Sequence, residues 1–596
     1  MKKIELKVNH LERNSNKKYI YQYLETLGIK YEDVDSFISQ PRNEDEEPPM
    51  HLDNISAAAD AIDYAARKKM KFFIQVDSDT DGYTSSAILI NYLKRRYGDI
   101  DIIWRLHAGK EHGVIVDTVP EDTGIVIIPD AGTNQFVEHK ALHDKGMIVV
   151  VLDHHELEEP NIEDSPAIIV NNQISKFCIN KSLSGAGVVY KLIKYMDSEF
   201  FTDKIYQNYG DLAAIGIISD AMNMTTLDNN YIAYWGLKHI HSQFIEQVAI
   251  KQSRGIKNPQ SLTKIDVAFY IAPVINGVIR SGAPEDKQMV FRALIEENNT
   301  EDFVREWRGT TYHETLYECA ARLAMNAKAR QDAAKKKSFE WLCEKIRDKG
   351  WDKDNIIIVP LDAKESLKVS PNITGLISME LVKEFNKPAL VLRQTELDGK
   401  MVYGGSGRNG NFHNLPDLKQ ALQNSNEVYY TAGHANAFGV FIEEDHINQI
   451  REYFLSHYKS EEFNDKVYAV DYWFHTGEKI DSDMLLELAS YDDLWGNSIP
   501  QPKLAFSLNL KQTDLFIMGK DSSSLKIRNE GIDFVSFCNL DLINNLKQEF
   551  EKNPIIHIDL VGRPQLNVWM GKYSIQVIID DIAVNDYQTR PINDLI

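Results

Sequence analysis

Three segments of this 596-residue chain place carboxylates and imidazoles at one kind of position. Asp77, Asp79 and Asp81 follow at once on the apolar run KFFIQV, Asp130 follows GIVIIP, and Asp153, His154 and His155 follow MIVVVL. Short apolar runs separated by amphipathic segments read as strands of a parallel sheet covered on both faces. Ligands of such a sheet bind beyond the carboxyl ends of its strands, so the three clusters are expected to converge on one crevice. Carboxylates crowded together resist joint ionisation unless cations compensate. With oxygen donors in the majority and imidazole in the minority, Mn²⁺ or Mg²⁺ suits them better than a thiolate-loving metal. Two such ions, about 3.5 to 4 Å apart, clamp the attacking and leaving oxygens of a phosphoryl centre. A lone DxDG loop or His pair is more often a solvated turn. Three clusters at three strand ends of one α/β unit outweigh that reading.

The elements that must position these residues follow from pattern. A helical stretch around Tyr19 to Leu27 precedes an acidic, proline-bearing segment, Pro41 to Pro49, which reads as a linker. A helix pattern starts at Ile55, and the strand runs KFFIQV, GIVIIP, MIVVVL and AIIVNN come after it. From Phe303 to Ile346 the chain, rich in Ala, Lys, Arg and Glu, reads as one long helix. A second, smaller α/β unit follows. Beyond Lys466, short alternating strands separated by turn residues suit a small β-barrel. The fold class expected is therefore α/β, with the boundaries 1–50 for an N-terminal helical segment and linker, 51–302 for a metal-binding catalytic domain, 303–350 for a connecting helix, 351–465 for a smaller accessory α/β domain and 466–596 for a barrel.

Composition limits the alternatives. An apolar fraction of 43% and a charged fraction of 26% are ordinary for a globular protein. No apolar stretch reaches the roughly 18 residues of a membrane span, and nothing at the N-terminus marks export, so a cytoplasmic protein is expected. Cys178, Cys319, Cys343 and Cys538 lie far apart with no metal-binding spacing and read as inert core thiols. A net charge of −22 disfavours a polyanion on average, yet the sign of the field at the site is what decides, and metal ions or a local basic groove can reverse it.

At these residues the sequence resembles the DHH phosphoesterase superfamily, named for the triplet that stands here as Asp153, His154 and His155. VDSDTDGYTSSA is similar to the family's first motif, IIPDAGTN to its second and DLAAIGIISDAM, with Asp220 on a helix, to its fourth. The resemblance implies Asp79, helped by Asp77, at one metal site, and Asp81, His154 and Asp220 at the other, with Asp130 bridging them. It also implies that His155 faces the scissile phosphate while Asp153 orients the neighbouring imidazole. Within the superfamily, LSGAGVVYKLI, IAPVINGVIRSG, GGSGRNG and AGHANAFG look like motifs of the RecJ-type exonucleases, and DDLWGNSIPQPKLAF and VGRPQLNVWMGKYSIQVIIDDI resemble their C-terminal OB-like barrel. That resemblance implies a DHHA1-type smaller domain and a two-metal exonuclease degrading single-stranded DNA 5′ to 3′ into mononucleotides. Ser184, Asn276, Arg280, Arg408, Gly433 and His434 would contact substrate, and a single-strand binding protein or helicase would be a partner. Val76, Ile279, Asn409 and Ala432 depart from the family pattern and mark a divergent member. Cleavage of short oligonucleotides or cyclic dinucleotides is the alternative chemistry, and a replication scaffold on the same fold the alternative without chemistry.

Overall fold

The computed structural model describes every residue except 1–3, 9–10, 14, 109–110, 159–164, 298–299, 398, 411, 413, 460–465, 520–521, 570–571 and 586–596. Met570 and Gly571 of the closing motif, and parts of the expected first, second, fourth and fifth domains, lie outside the described residues. The chain groups into two compact units. One comprises residues 27–330 with 492–500, and the other residues 1–26, 331–491 and 501–596.

The chain opens with β1 (Ile4–Val8), which pairs parallel with β14 (Lys466–Val470) in the second unit. The first unit is built on a parallel sheet of β2 (Phe72–Val76), β3 (Ile102–Leu106), β4 (Ile125–Pro129), β5 (Ile148–Asp153) and β6 (Ile168–Asn171), in the order β3-β2-β4-β5-β6. β2 and β4 are buried throughout, as strands covered on both faces must be. The reversal of order beside β2 puts the crevice at the carboxyl ends of β2, β4 and β5, where the ligand clusters sit. The helices Thr80–Tyr97, Gly185–Phe200 and Gly210–Ser219 pack around this end.

Two sequence expectations fail here for physical reasons. Pro41 to Pro49 is no linker: Asp45 and Glu46 are buried, Glu46 meets Lys191 and Lys194, and the Glu47 carboxylate accepts the backbone N–H groups of Ile179 and Asn180 at 2.6 and 2.8 Å. Acidic composition reads as solvated, but here each charge has a partner. The helix expected from Phe303 begins only at Leu316 and runs to Lys349. Before it stand β7 (Phe303–Trp307) and β8 (Thr310–Glu314), an antiparallel hairpin. Arg308 and Gly309 both take positive φ, 49° and 75°, in the mirror-image turn that a two-residue hairpin requires, and the flanking Val, Trp, Thr and Tyr residues favour strands.

The second unit holds two larger sheets. β9 (Ile357–Leu361), β10 (Ala389–Leu397), β11 (Lys400–Arg408), β12 (Tyr430–His434) and β13 (Ala437–Ile442) run in the order β12-β13-β11-β10-β9 over a core that includes Ile358, Leu390, Val391 and Leu381. β15 (Tyr472–Phe474), β16 (Leu504–Lys511), β17 (Leu515–Met518), β18 (Ser524–Asn529), β19 (Ile532–Ser536), β20 (Ile555–Trp569) and β21 (Lys572–Asn585) form a seven-stranded sheet where a barrel is expected. The segment 492–500, read as barrel from sequence, groups with the first unit. Cys178, Cys319 and Cys343 are buried as expected, whereas Cys538 is exposed in a turn at φ 50°. No helix among the described residues is long and apolar enough to cross a membrane.

Candidate metal centre

Each ligand candidate is set by the end of an element. Asp77 follows β2, and Asp79 caps the helix Thr80–Tyr97, accepting the Gly82 N–H at 2.9 Å. Asp81 lies in that helix's first turn. Its carboxylate is held by the amino end of the helix Gly185–Phe200: Gly185 and Ala186 donate backbone N–H groups at 2.7 and 3.1 Å, and Ser184 Oγ donates at 2.9 Å. Asp130 leaves β4 at a φ of 63°, a left-handed turn that swings its side chain into the crevice. Asp220 caps the carboxyl end of the helix Gly210–Ser219, one residue past it.

These residues form three overlapping groups whose donor atoms lie within 4.8 Å of one another: Asp77, Asp79 and Asp130; Asp81, His154 and Asp220; and Asp130, Asp153, His154 and His155. His154 Nε2 is 3.2 Å from Asp130 Oδ1, 3.5 Å from Asp220 Oδ2 and 4.0 Å from Asp81 Oδ2. Asp130 therefore belongs to a group on either side of it.

The charge pattern asks for cations. Burial, and then the charges of Asp81 and Asp79, raise the Asp130 pKa well above its ordinary range, and the same causes push Asp220 up to about 8. Burial and the neighbouring Asp81 carry Asp79 to about 6. Asp130 Oδ1 is buried without an aligned hydrogen-bond donor, despite its proximity to His154. A buried lone pair of this kind has to be satisfied by something else. Glycine supplies the room: a β-carbon at Gly185 would overlap the Asp130 carboxylate, and one at Gly216 would overlap that of Asp81. The oxygen-rich set with one imidazole fits hard divalent cations.

Asp153 does other work. Burial would raise its pKa, but His155 hydrogen-bonds it from Nδ1 at 2.7 Å and Thr133 N–H at 2.9 Å, so it is held far below the usual carboxylate range. The same bond pushes His155 up to about 9. With Nδ1 tied down and 56% of the side chain exposed, His155 presents Nε2 to solvent at the crevice. Asn171 ties this loop in place by donating to Thr133 Oγ1 at 2.8 Å and to the His155 carbonyl at 2.9 Å.

The substrate candidates divide between the units. Ser184, expected to face substrate, is buried and donates to Asp81, so it holds a candidate ligand in place. Arg280 is exposed at the end of the helix Ala272–Ser281, and its charge acts on Asp79; Asn276 lies one turn earlier, half-buried. In the second unit Arg408 and His434 are both in register with Ala437, one on β11 and one on β12, so they share a face across three strands. Gly433, at φ 118°, makes the approach beside His434 that a side chain would strain.

Two histidines escaped sequence reading. His112 Nδ1 meets the Asp77 carboxylate at 3.0 and 3.2 Å, and buried His107 directs Nε2 to 3.7 Å from Asp77 Oδ1 with no hydrogen-bond partner. Both follow β3, and they too stand beyond a strand's carboxyl end. Trp104 and Arg105 disguise that strand in the sequence, since IIWRL is not a continuous apolar run.

Residues 71–217 match the DHH family, N-terminal domain, and residues 476–581 match the RecJ OB domain. A Bacillus subtilis (strain 168) protein named as an SPbeta prophage-derived single-strand DNA-specific exonuclease, YorK, is 30% identical over 535 residues, covering 89% of this chain and 91% of its own. The single-stranded-DNA-specific exonuclease RecJ of the same organism is 25% identical over 554 residues, covering 91% of this chain and 64% of its own. In fold the chain is similar to RecJ from Thermus thermophilus, solved in complex with Mn²⁺, with a TM-score of 0.71 at 18% identity over 98% of this chain and 80% of that one. With both domain matches in order and a relative 30% identical along nearly the whole of both chains, the chain belongs to the RecJ family of the DHH superfamily.

Proposed function

We propose that this chain is a metal-dependent phosphodiesterase that degrades single-stranded DNA from the 5′ end to mononucleotides. The observation that carries the reading is Asp130, which groups with Asp77 and Asp79 and stands 3.2 Å from Nε2 of His154, a member of the group with Asp81 and Asp220. Asp77, Asp79 and Asp130 would hold one ion and Asp81, His154 and Asp220 the other, with Asp130 shared. When bound, the ions supply positive charge to the phosphoryl oxygens and a water activated for attack. Asp81 is presented by the backbone N–H groups of Gly185 and Ala186, which orient its oxygens. His155, oriented by Asp153, would donate from Nε2 to a phosphate oxygen as charge develops there. Arg280 and Arg408 would fork onto backbone phosphates, which position a strand without reading its bases. The OB-like sheet supplies the kind of surface on which single strands lie. The names of the relatives support DNA as substrate.

A length series tests this directly. With Mn²⁺ present, 5′-phosphorylated single strands of about 30 nucleotides should disappear, while the same sequence as a blunt duplex persists. If dinucleotides, trinucleotides or cyclic dinucleotides are cleaved and the long strand is untouched, the exonuclease reading is wrong.

A further inference from the structure

The helix Gly210–Ser219, which carries Asp220 at its carboxyl end, stops in an unusual way. Ala221 N–H donates to the Ile218 carbonyl at 3.1 Å and Met222 N–H to the Ile217 carbonyl at 3.1 Å. This is the paired pattern of a helix stop that needs a left-handed residue, and the residue filling it at φ 56° is Ala221 where glycine is preferred. A β-carbon in that conformation is strained, because it crowds the following carbonyl. The turn that aims Asp220 therefore needs outside support.

That support comes from far along the chain. Residues 492–500, DDLWGNSIP, group with the first unit although the chain on either side belongs to the second. Leu494, Trp495 and Ile499 are buried, Gly496 N–H donates to the Ile499 carbonyl at 2.9 Å to close the loop, and buried Lys264 donates to the Leu494 carbonyl at 3.4 Å. From this anchored loop Asn497 Nδ2 donates to the Ala221 carbonyl and, at 3.1 Å, to the Met222 carbonyl. A single amide nitrogen thus donates to the carbonyls of both residues that follow Asp220.

We propose that Asn497 is a positioning residue for the metal centre, fixing the strained turn behind Asp220 so that a segment remote in sequence completes the site. The proposal rests on Asp220 being a ligand, as set out above. Asn497 is exposed, so its loss is not expected to unfold the protein. Calorimetric titration of the full chain with MnCl₂, in the absence of DNA, tests it. In Asn497→Ala, affinity for one of the two ions should fall about tenfold, the order seen when a ligand's supporting contact is lost. The Mn²⁺ concentration for half-maximal digestion should rise in parallel, and the rate at saturating Mn²⁺ should stay near wild type. Adding Ala221→Gly to that variant, which relieves the left-handed strain, should restore the affinity. Wild-type affinity in Asn497→Ala would overturn the proposal, as would failure of Ala221→Gly to restore it. If the wild-type chain binds no Mn²⁺, the metal-centre reading itself fails, and the positioning role with it.

Discussion

Asp130 groups with Asp77 and Asp79 and stands 3.2 Å from His154 Nε2 of the Asp81 and Asp220 group, so under the proposed two-ion reading its removal should weaken both ion sites at once. Asp130→Ala is expected to lower Mn²⁺-dependent digestion at least about a hundredfold and to abolish tight Mn²⁺ binding in calorimetry, with the circular dichroism spectrum unchanged. His155 differs, because it is oriented by Asp153 and is no ligand in this reading. His155→Ala should cut turnover about 10²- to 10³-fold while Mn²⁺ affinity stays within a few-fold, a split that kinetics and calorimetry separate. The crowded carboxylates also set a pH dependence for the metal-free protein. Burial and neighbouring charges raise Asp220 from the ordinary 3.8 to about 8 and Asp79 to about 6, so the folded state holds protons that the unfolded state has released. Stability from these groups is fully present below about 4 and is lost as pH rises through 6 to 8. The melting temperature in EDTA should fall from pH 5 to pH 8.5, and Mn²⁺ should flatten that slope. At this scale most of the candidate site is legible in the sequence, since strand-end placement alone brings Asp77, Asp130 and His154 to one crevice. His107 and His112 were hidden because β3 carries Trp104 and Arg105, and Ser184 was misassigned because sequence does not tell a buried hydroxyl on a ligand from one facing substrate.

Elements place these residues through close approach. The amino end of the helix Gly185–Phe200 touches Asp81 with two N–H groups and leaves Asp130 just enough room beside Gly185. Gly185→Ala would force a β-carbon into the Asp130 carboxylate and its backbone, so Mn²⁺ affinity should drop about 10- to 100-fold in calorimetry and the melting temperature should fall with it. An unaltered titration would show that the helix is not packed against the ligand as described. The strands β2, β4, β5 and β6 and their helices were readable because hydrophobic period and length agree there. The elements that were not readable share a cause: tertiary partners override local composition. Glu46 and Glu47 turn an acidic stretch into packed structure by meeting buried Lys191, half-buried Lys194 and backbone N–H groups, and Arg308 with Gly309 turns a charged, helix-compatible stretch into a hairpin.

Over the whole molecule, a net charge of −22 means that affinity for a polyanion must come from local fields. Binding to a phosphate backbone releases counterions, so the logarithm of affinity should fall linearly with the logarithm of salt, by about 0.7 for each phosphate neutralised on a single strand. Arg280→Ala and Arg408→Ala should each weaken single-strand binding in fluorescence anisotropy and each reduce that slope by about 0.7. A slope unchanged in both variants would remove these arginines from the DNA path. The most direct measurement uses one single-stranded oligonucleotide labelled at either the 5′ or the 3′ end and digested with Mn²⁺, with EDTA as control. The 5′ label should appear at once as mononucleotide while the 3′ label passes through a ladder of shortening fragments, and EDTA should stop both. Release of the 3′ label first, or digestion that persists in EDTA, would contradict a metal-dependent 5′ to 3′ exonuclease.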